Sequence, residues 1–503
     1  MLKKLAGQTA LYGVSSILGR TLNYFLVPLH TSVFKAGEFG DITGIYALVA
    51  FLNVVYTFGL ETTYFRFASN KLATDAEKAK FYGQSFSILA LVSVSLSLIL
   101  YTWADQVAAS VEAPGKGIYI RWMVFTMLID AFVVLPFAKL RLEGKALRFV
   151  IVRMTSIVLT FCLNHLFLGV VLPAGAGAWG SDWQQLVAPL YDPALGPGYV
   201  FLANLIANGV MALMLVPQFI QMRLIWSAEM VKRLTVYAWP LLIMGMAGMV
   251  DEMLSRLILV KVLPIGFYDG LTNKEALGVF GACYKLSIFM SLAIQAFRYA
   301  ADPFFFSKAQ ERNAPEVFAK VMHAFVIVCL SLFVGVSLNL WWLAPLFLKK
   351  AVYLTGLDIV PVLLLANMLL GVYYNLTVWF KLTDNTRFGT YISLGGAAFT
   401  LVANLILIPI LGYMGSALVT MLCYLLMSVA CYLLGQRYWP VPYQWAKTLR
   451  YVAIAVGLVL VQQLFGAAWH PMIRIAYTMG SVGLFAGYAI WAEGLSFAML
   501  RRK

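Results

Sequence analysis

Apolar stretches of roughly twenty residues, each closed by a short polar break, repeat along the whole chain. That length is what a helix needs to cross about 30 Å of hydrocarbon at 1.5 Å per residue. Lipid offers the backbone no hydrogen-bond partner, and the two-residue alternation of a membrane barrel is absent, so the stretches read as helices. The pattern places them at 9–33, 42–66, 81–103, 118–141, 149–173, 197–221, 234–262, 276–300, 317–342, 356–381, 388–409, 413–435, 446–466 and 473–496. The fold class is therefore all-α: a polytopic membrane protein of about fourteen transmembrane helices. The run after Lys3 and Lys4 is too long for the apolar core of a cleaved signal, so the first helix is expected to be its own insertion signal.

Composition agrees: 62% of the 503 residues are hydrophobic, 12% are charged and the mean hydropathy is +0.83. A soluble domain carries about twice that share of charge. The formal net charge of +15 invites a nucleic-acid reading, but its distribution argues against one. With the amino terminus placed inside, twenty-five Lys and Arg fall in inner segments and six in outer ones, namely Lys35, Lys116, Lys274, Lys349, Lys350 and Arg474. The basic charge is thus mainly an orientation code, with both termini cytoplasmic. The five cysteines lie singly in apolar helices, and no zinc spacing, nucleotide loop or nucleophile elbow occurs; neither an enzyme nor ATP-driven transport by this chain alone is expected.

The chain also resembles itself. Leu18-Gly19-Arg20 with Pro28 in helix 1 matches Leu254-Ser255-Arg256 with Pro264 in helix 7. After a two-residue length difference, Gly40, Tyr46 and Phe51 match Gly278, Tyr284 and Phe289. Six helices separate the two copies, which predicts two parallel six-helix lobes, 1–221 and 222–435, with helices 13 and 14 appended over 436–503. The long outer loop 174–197, with Trp179 and Trp183 and no cation, reads either as an interfacial tryptophan belt or as a lid.

A charge at the bilayer centre costs about 2.5–3.5 kcal/mol even on the insertion scale, so buried charges mark candidate function. Arg20 shares a helical face with Thr9, Gly13, Ser16 and Asn23, a small and polar stripe suited to a cavity. Arg256, at the matching depth, shares its face with Gly245, Gly248 and Glu252; Glu252, one turn earlier, could also hold it in a purely structural ion pair. Lys285 lies about 80° or more off the polar stripe of helix 8, so cavity and snorkelling remain open. Arg153 heads a stripe of Ser156, Thr160 and Asn164 and carries the same two readings. The acids are Glu61, Asp130, Asp251 and Glu252; each either balances a cation or titrates and couples transport to H+ or Na+.

The stripe from Gly13 to Arg20, Pro28 at the helix end, Glu38-Phe39-Gly40 before helix 2, and Gly59-Leu60 leading to Arg66-Phe67 resemble the bacterial polysaccharide-specific transporters. These are O-antigen and capsule repeat-unit flippases within the multidrug/oligosaccharidyl-lipid/polysaccharide exporter superfamily. The resemblance in motif covers about the first seventy residues; helix number and repeat extend it. It implies a flippase of the bacterial inner membrane that moves undecaprenyl-diphosphate-linked oligosaccharide outward by alternating access, with polymerase and other pathway proteins as partners and no nucleic acid. It carries family cavity arginines onto Arg20 and Arg256, whereas the acid at Glu61 departs from the pattern. The residues fit a diphosphate, since Arg can grip it bidentately. A cation-coupled multidrug-type antiporter is the alternative, with Asp130 and Glu61 as coupling sites. A glycosyltransferase on the same carrier lipid would need a catalytic outer loop, and 174–197 has only Asp182 and Asp192.

Overall fold

A computed structural model describes residues 2–68, 74–220, 224–308, 311–383, 385 and 387–493, with the side chains of 2–16, 75, 299–300, 302–303, 306–307 and 467 outside the description. Helices run through every stretch expected from the hydropathy. They are α1 (Leu2–Val33), α2 (Ala36–Thr57), α3 (Leu60–Ala68), α4 (Asp75–Thr102), α5 (Ala104–Ser110), α6 (Gly117–Leu142), α7 (Ala146–Asn164), α8 (Leu172–Gly175), α9 (Ser181–Val187), α10 (Gly198–Met214) and α11 (Val216–Ile220). The chain continues with α12 (Ala228–Val262), α13 (Asn273–Leu286), α14 (Ile288–Lys308), α15 (Ala314–Phe347), α16 (Ala351–Leu354), α17 (Ile359–Leu376) and α18 (Val378–Leu382). It ends with α19 (Arg387–Leu411), α20 (Tyr413–Tyr438), α21 (Trp445–Phe465) and α22 (Pro471–Ala492).

Among the described residues ten helical spans are long and apolar enough to cross a membrane, or eleven when the bent pair α13–α14 counts as one. The full count of fourteen is not reached on that measure. α10 has only 17 residues, and α1 and α12 carry charge near mid-span.

Five expected helices are interrupted, helices 6 and 10 only by a single turn residue, Leu215 and Thr377. Helix 2 divides into α2 and α3 at Phe58 and Gly59, both left-handed at φ 50° and 65°. Gly59 lies against Leu241 Cβ and the Ala238 carbonyl of α12, so a side chain there would meet both strain and a neighbour. Helix 8 bends by 44° between α13 and α14. The bend is fastened by Ser287 and Ser291, which share Asn367 of α17 at 3.2 Å each. Helix 5 passes from α7 through a π-helical turn, His165–Val171, into α8. Helix starts are capped where the sequence allows: Thr74 with Glu77 opens α4, and Thr272 with Glu275 opens α13, each pair donating and accepting reciprocally.

The contacts group the chain into two compact units, Met1–Ala282 with Ala397–Ser416, and Cys283–Gly396 with Ala417–Lys503. In the first, α12 packs along α2, which is why it groups with the preceding helices. The core of this unit is aromatic, with Tyr56, Tyr119, Tyr199 and Phe201 fully buried. The outer loop is fastened to it: the Tyr199 hydroxyl accepts from the Asp192 N–H and donates to the Leu190 carbonyl, both at 2.7 Å, and Tyr119 donates to the Leu195 carbonyl at 2.6 Å. Trp179, Trp183, Leu186 and Leu190 remain exposed on it, the arrangement of an interfacial belt.

In the second unit, helices α21 and α22 are clasped to α15 by one carboxylate. Glu493 accepts from His323 Nε2 at 3.0 Å, Lys447 Nζ at 2.9 Å and the Tyr451 hydroxyl at 2.8 Å, while Thr448 meets His323 Nδ1 at 2.9 Å. Burial pushes the Glu493 carboxyl up, but the hydrogen bonds from Lys447, His323 and Tyr451 outweigh it and hold the pKa at about 2. A depressed carboxylate contributes stability above its unfolded pKa, and this is lost as pH falls through the folded one. The wild-type chain should therefore lose thermal stability progressively from about pH 5 downward. Glu493→Gln should melt lower at pH 7 and lose less on acidification, read by thermal unfolding in detergent; parallel pH curves would contradict the clasp.

Candidate functional site

Arg20 lies near the middle of α1 and is exposed. At about 100° per residue it stands in line with Tyr24, Val27 and Thr31, and roughly 140–160° away from Leu18 and Phe25. Tyr24, Val27 and Thr31 are buried, whereas Leu18 and Phe25 are exposed apolar side chains of the kind that face lipid. The exposed guanidinium therefore continues the buried line of α1 and stands opposite its exposed apolar line. Asn23 is exposed near it. Thr9, Gly13 and Ser16, the other members of the expected stripe, lie outside the described side chains.

Arg256 is half-buried on α12, with Nη1 at 2.7 Å from Met253 Sδ. Glu252 is exposed, and among the described residues no ion pair joins it to Arg256. The intrahelical pair allowed by their spacing is therefore not formed. Gly245 on the same face approaches Val54 of α2, and a side chain at Gly248 would meet nothing within 4 Å. The adjoining face of α12 carries a buried polar ladder to α19. Asp251, 4% exposed, accepts from the Thr400 hydroxyl at 3.2 Å, and Ser255 accepts from Asn404 Nδ2 at 3.2 Å. Asn404 Oδ1 is buried and accepts no hydrogen bond.

The other acids are engaged. Glu61, at the start of α3, pairs with Arg141 of α6, whose guanidinium also lies 4.8 Å over the Phe65 ring. Glu61 thus balances a cation, which its 80-residue separation from Arg141 concealed. Asp130 of α6 accepts from Asn208 Nδ2 of α10 at 3.0 Å, and Asn208 Oδ1 in turn accepts from Ser156 of α7 at 3.2 Å. Arg153 is exposed one turn before Ser156. The remainder of the Arg153 stripe is buried: Ser156 and Thr160, then Asn164, bonded at 2.9 Å to His30 of α1. That stripe is helix packing. Lys285 is half-buried two residues before the Ser287 bend, in the second unit, while Arg20, Arg153 and Arg256 belong to the first.

One pair of helix ends went unread in the sequence. At the N-terminal ends of α2 and α13, Gly40 lies against the Lys274 carbonyl and Gly278 against the Ala36 carbonyl, so closely that neither position has room for a Cβ. The repeat register is 278 − 40 = 238, and 274 − 36 gives the same 238. The contact is thus reciprocal, residue i on j′ and j on i′, as a two-fold relation requires. Thr43 and Gly281, mates by the same register, touch each other. Lys274 Nζ closes the seam on the buried Asp41 carboxylate at 2.5 Å. The register could have predicted this contact, because both glycines were already matched.

No family profile and no curated protein matches the chain. Solved structures do. The lipid II flippase MurJ in an inward closed conformation superposes with a TM-score of 0.72 at 12% identity, over 96% of this chain and 99% of that one. An inward-facing multidrug resistance MATE transporter gives 0.62 at 14% identity, over 83% and 94%. An outward-facing MATE structure gives 0.56 at 14%, over 86% and 95%. The chain has the all-helical fold of these transporters, which are not enzymes.

Proposed function

We propose that the chain is a flippase that moves undecaprenyl-diphosphate-linked oligosaccharide units from the cytoplasmic to the outer leaflet by alternating access, for surface polysaccharide assembly. The observation that carries this is Arg20: an exposed guanidinium at the middle of α1, in line with buried Tyr24, Val27 and Thr31 and opposite exposed Leu18 and Phe25, in a chain with the MurJ and MATE fold. Arginine presents a planar fork of donors that matches a phosphate edge, and in a low-dielectric site such charge-assisted bonds are roughly twice as strong as neutral ones. Arg256, the repeat mate, is the second proposed ligand; Arg153 and Lys285 are secondary candidates. A cationic drug would meet these residues as repulsion. The acids it would need are taken up, Glu61 by Arg141 and Asp130 by Asn208.

Two lobes, 1–221 and 222–435, with the pair 436–503 appended, complete the proposed architecture, with both termini cytoplasmic in a bacterial inner membrane. A polymerase acting on the exported unit is the proposed partner. The energy source is proposed to be a proton or sodium gradient acting at Asp251, whose carboxylate is buried, accepts from the Thr400 hydroxyl and lies about one turn along the polar ladder from the unsatisfied Asn404 oxygen. Asp251→Asn should cut ion-dependent transport at least tenfold without lowering membrane abundance. The reading is tested by expression in a strain lacking its own repeat-unit flippase: restored surface polysaccharide with unchanged drug resistance supports it, and the reverse pattern refutes it.

A further inference from the structure

We propose that the ends of α3 and α4 together with the first turns of α12 form a binding site for the anionic headgroup of an inner-leaflet phospholipid, independent of the cargo. α12 has 35 residues and so measures about 52 Å, against ~30 Å of hydrocarbon, so its first third extends into the cytoplasmic interface. That third is two-faced. Leu234 and Ala238 are buried against the unit, while Val236 and Trp239 are 68% and 54% exposed, and Trp226 just before the helix is 61% exposed. Such aromatic and aliphatic side chains, exposed at the level of the headgroups, anchor a surface in the interface.

Beside this apolar strip stands a platform of stacked rings carrying cations. Phe67 of α3 stacks on Phe81 of α4 at 5.5 Å and meets Tyr237 of α12 edge-on at 5.9 Å. The Arg233 guanidinium lies 4.8 Å over Phe67, and that of Arg66 lies 4.5 Å over Tyr237. Both arginines are exposed, as is Lys232. Glu229, one turn before Arg233, makes no ion pair with it, and among the described residues no carboxylate lies within 4.0 Å of Lys232 or Arg233. Two guanidiniums held over rings are positioned before a ligand arrives, so less side-chain freedom is lost on binding. Cations directly adjoining an exposed apolar strip match a molecule that is anionic at its head and apolar beyond it. A soluble phosphate would satisfy only the first half.

The test uses the full chain purified in neutral detergent, with phosphatidylglycerol, phosphatidylcholine or inorganic pyrophosphate added, reading retained lipid by native mass spectrometry and melting temperature alongside. Phosphatidylglycerol should be retained and raise the melting temperature, with phosphatidylcholine and pyrophosphate inert. The Arg66→Ala/Arg233→Ala double variant should bind it about twentyfold more weakly, near fivefold per charge, and Lys308→Ala should bind it as the parent does. Equal retention of phosphatidylcholine, an unchanged double variant, or the same stabilisation by pyrophosphate would overturn the assignment. Should the double variant fail to fold, the unaltered chain still decides: its preference for phosphatidylglycerol must fade between 50 and 500 mM salt, and a preference that persists overturns the site.

Discussion

Replacing Arg20 with Ala should abolish the surface polysaccharide made in a complemented flippase-deficient strain while the protein remains at normal abundance in the membrane. Two bidentate bonds from a guanidinium to a diphosphate in a desolvated site contribute on the order of 3 kcal/mol or more, which is a hundredfold or greater loss of productive binding. Arg20→Lys keeps the charge without the fork, so it should recover part of the activity and bind cargo more weakly. Stability should change little, because Arg20 is exposed and its neighbours on α1 keep their packing. An Arg20→Ala chain that exports normally would remove the diphosphate-binding role, whatever the fate of Arg256.

The second large effect is expected at the seam between the N-terminal ends of α2 and α13. Gly278→Leu would drive a side chain into the Ala36 carbonyl, and Gly40 lies in the reciprocal position, so the two helix ends could no longer meet. Backbone on both sides leaves no flexible atom to move aside. Transport should fall at least tenfold if, as proposed, the chain works by alternating access, because the two helix ends could no longer close on each other. The cause is separable from misfolding by replacing the five native cysteines, of which Cys162 is exposed, with Ser and placing one thiol at the centre of the seam with Thr43→Cys. That thiol should react slowly with a membrane-impermeant maleimide in the parent and several-fold faster once Gly278→Leu is added. Gly278→Ala should lie between the two. Unchanged labelling with unchanged transport would mean that the seam has no part in the cycle.

Much of this architecture was legible in the hydropathy, because a membrane allows the backbone few alternatives to a helix. The stretches expected at 118–141 and 413–435 appear as Gly117–Leu142 and Tyr413–Tyr438. The interruptions were not legible. The break at Phe58 and Gly59 contains no proline, and a left-handed phenylalanine is dictated by the packing of α12 against α2, a tertiary fact. The bend at Ser287 depends on Asn367, eighty residues away.

The charged residues divide in the same way. Helical spacing puts Arg20 on a polar face with Thr9, Gly13, Ser16 and Asn23; of these, the side chain of Asn23 is described and is exposed, as Arg20 is. Spacing also allowed a Glu252–Arg256 pair that does not form, since i,i+4 proximity permits an ion pair without enforcing it. Glu61 with Arg141, and Asp130 with Asn208 and Ser156, needed three-dimensional neighbours to be understood. The repeat register of 238 was the most informative sequence signal left unused, because it already contained the reciprocal glycine contact.

The most direct measurement is leaflet exchange in sealed proteoliposomes. The purified chain is reconstituted with a polyprenyl-diphosphate oligosaccharide bearing a fluorescent sugar, and the fraction quenched by an impermeant reductant is followed with time. A flippase predicts that the protected fraction becomes accessible much faster than in protein-free vesicles, that Arg20→Ala returns the rate to the protein-free level, and that a cationic dye is not moved. A lipid-linked oligosaccharide that exchanges no faster than in empty vesicles, alongside gradient-driven movement of the dye, would contradict it.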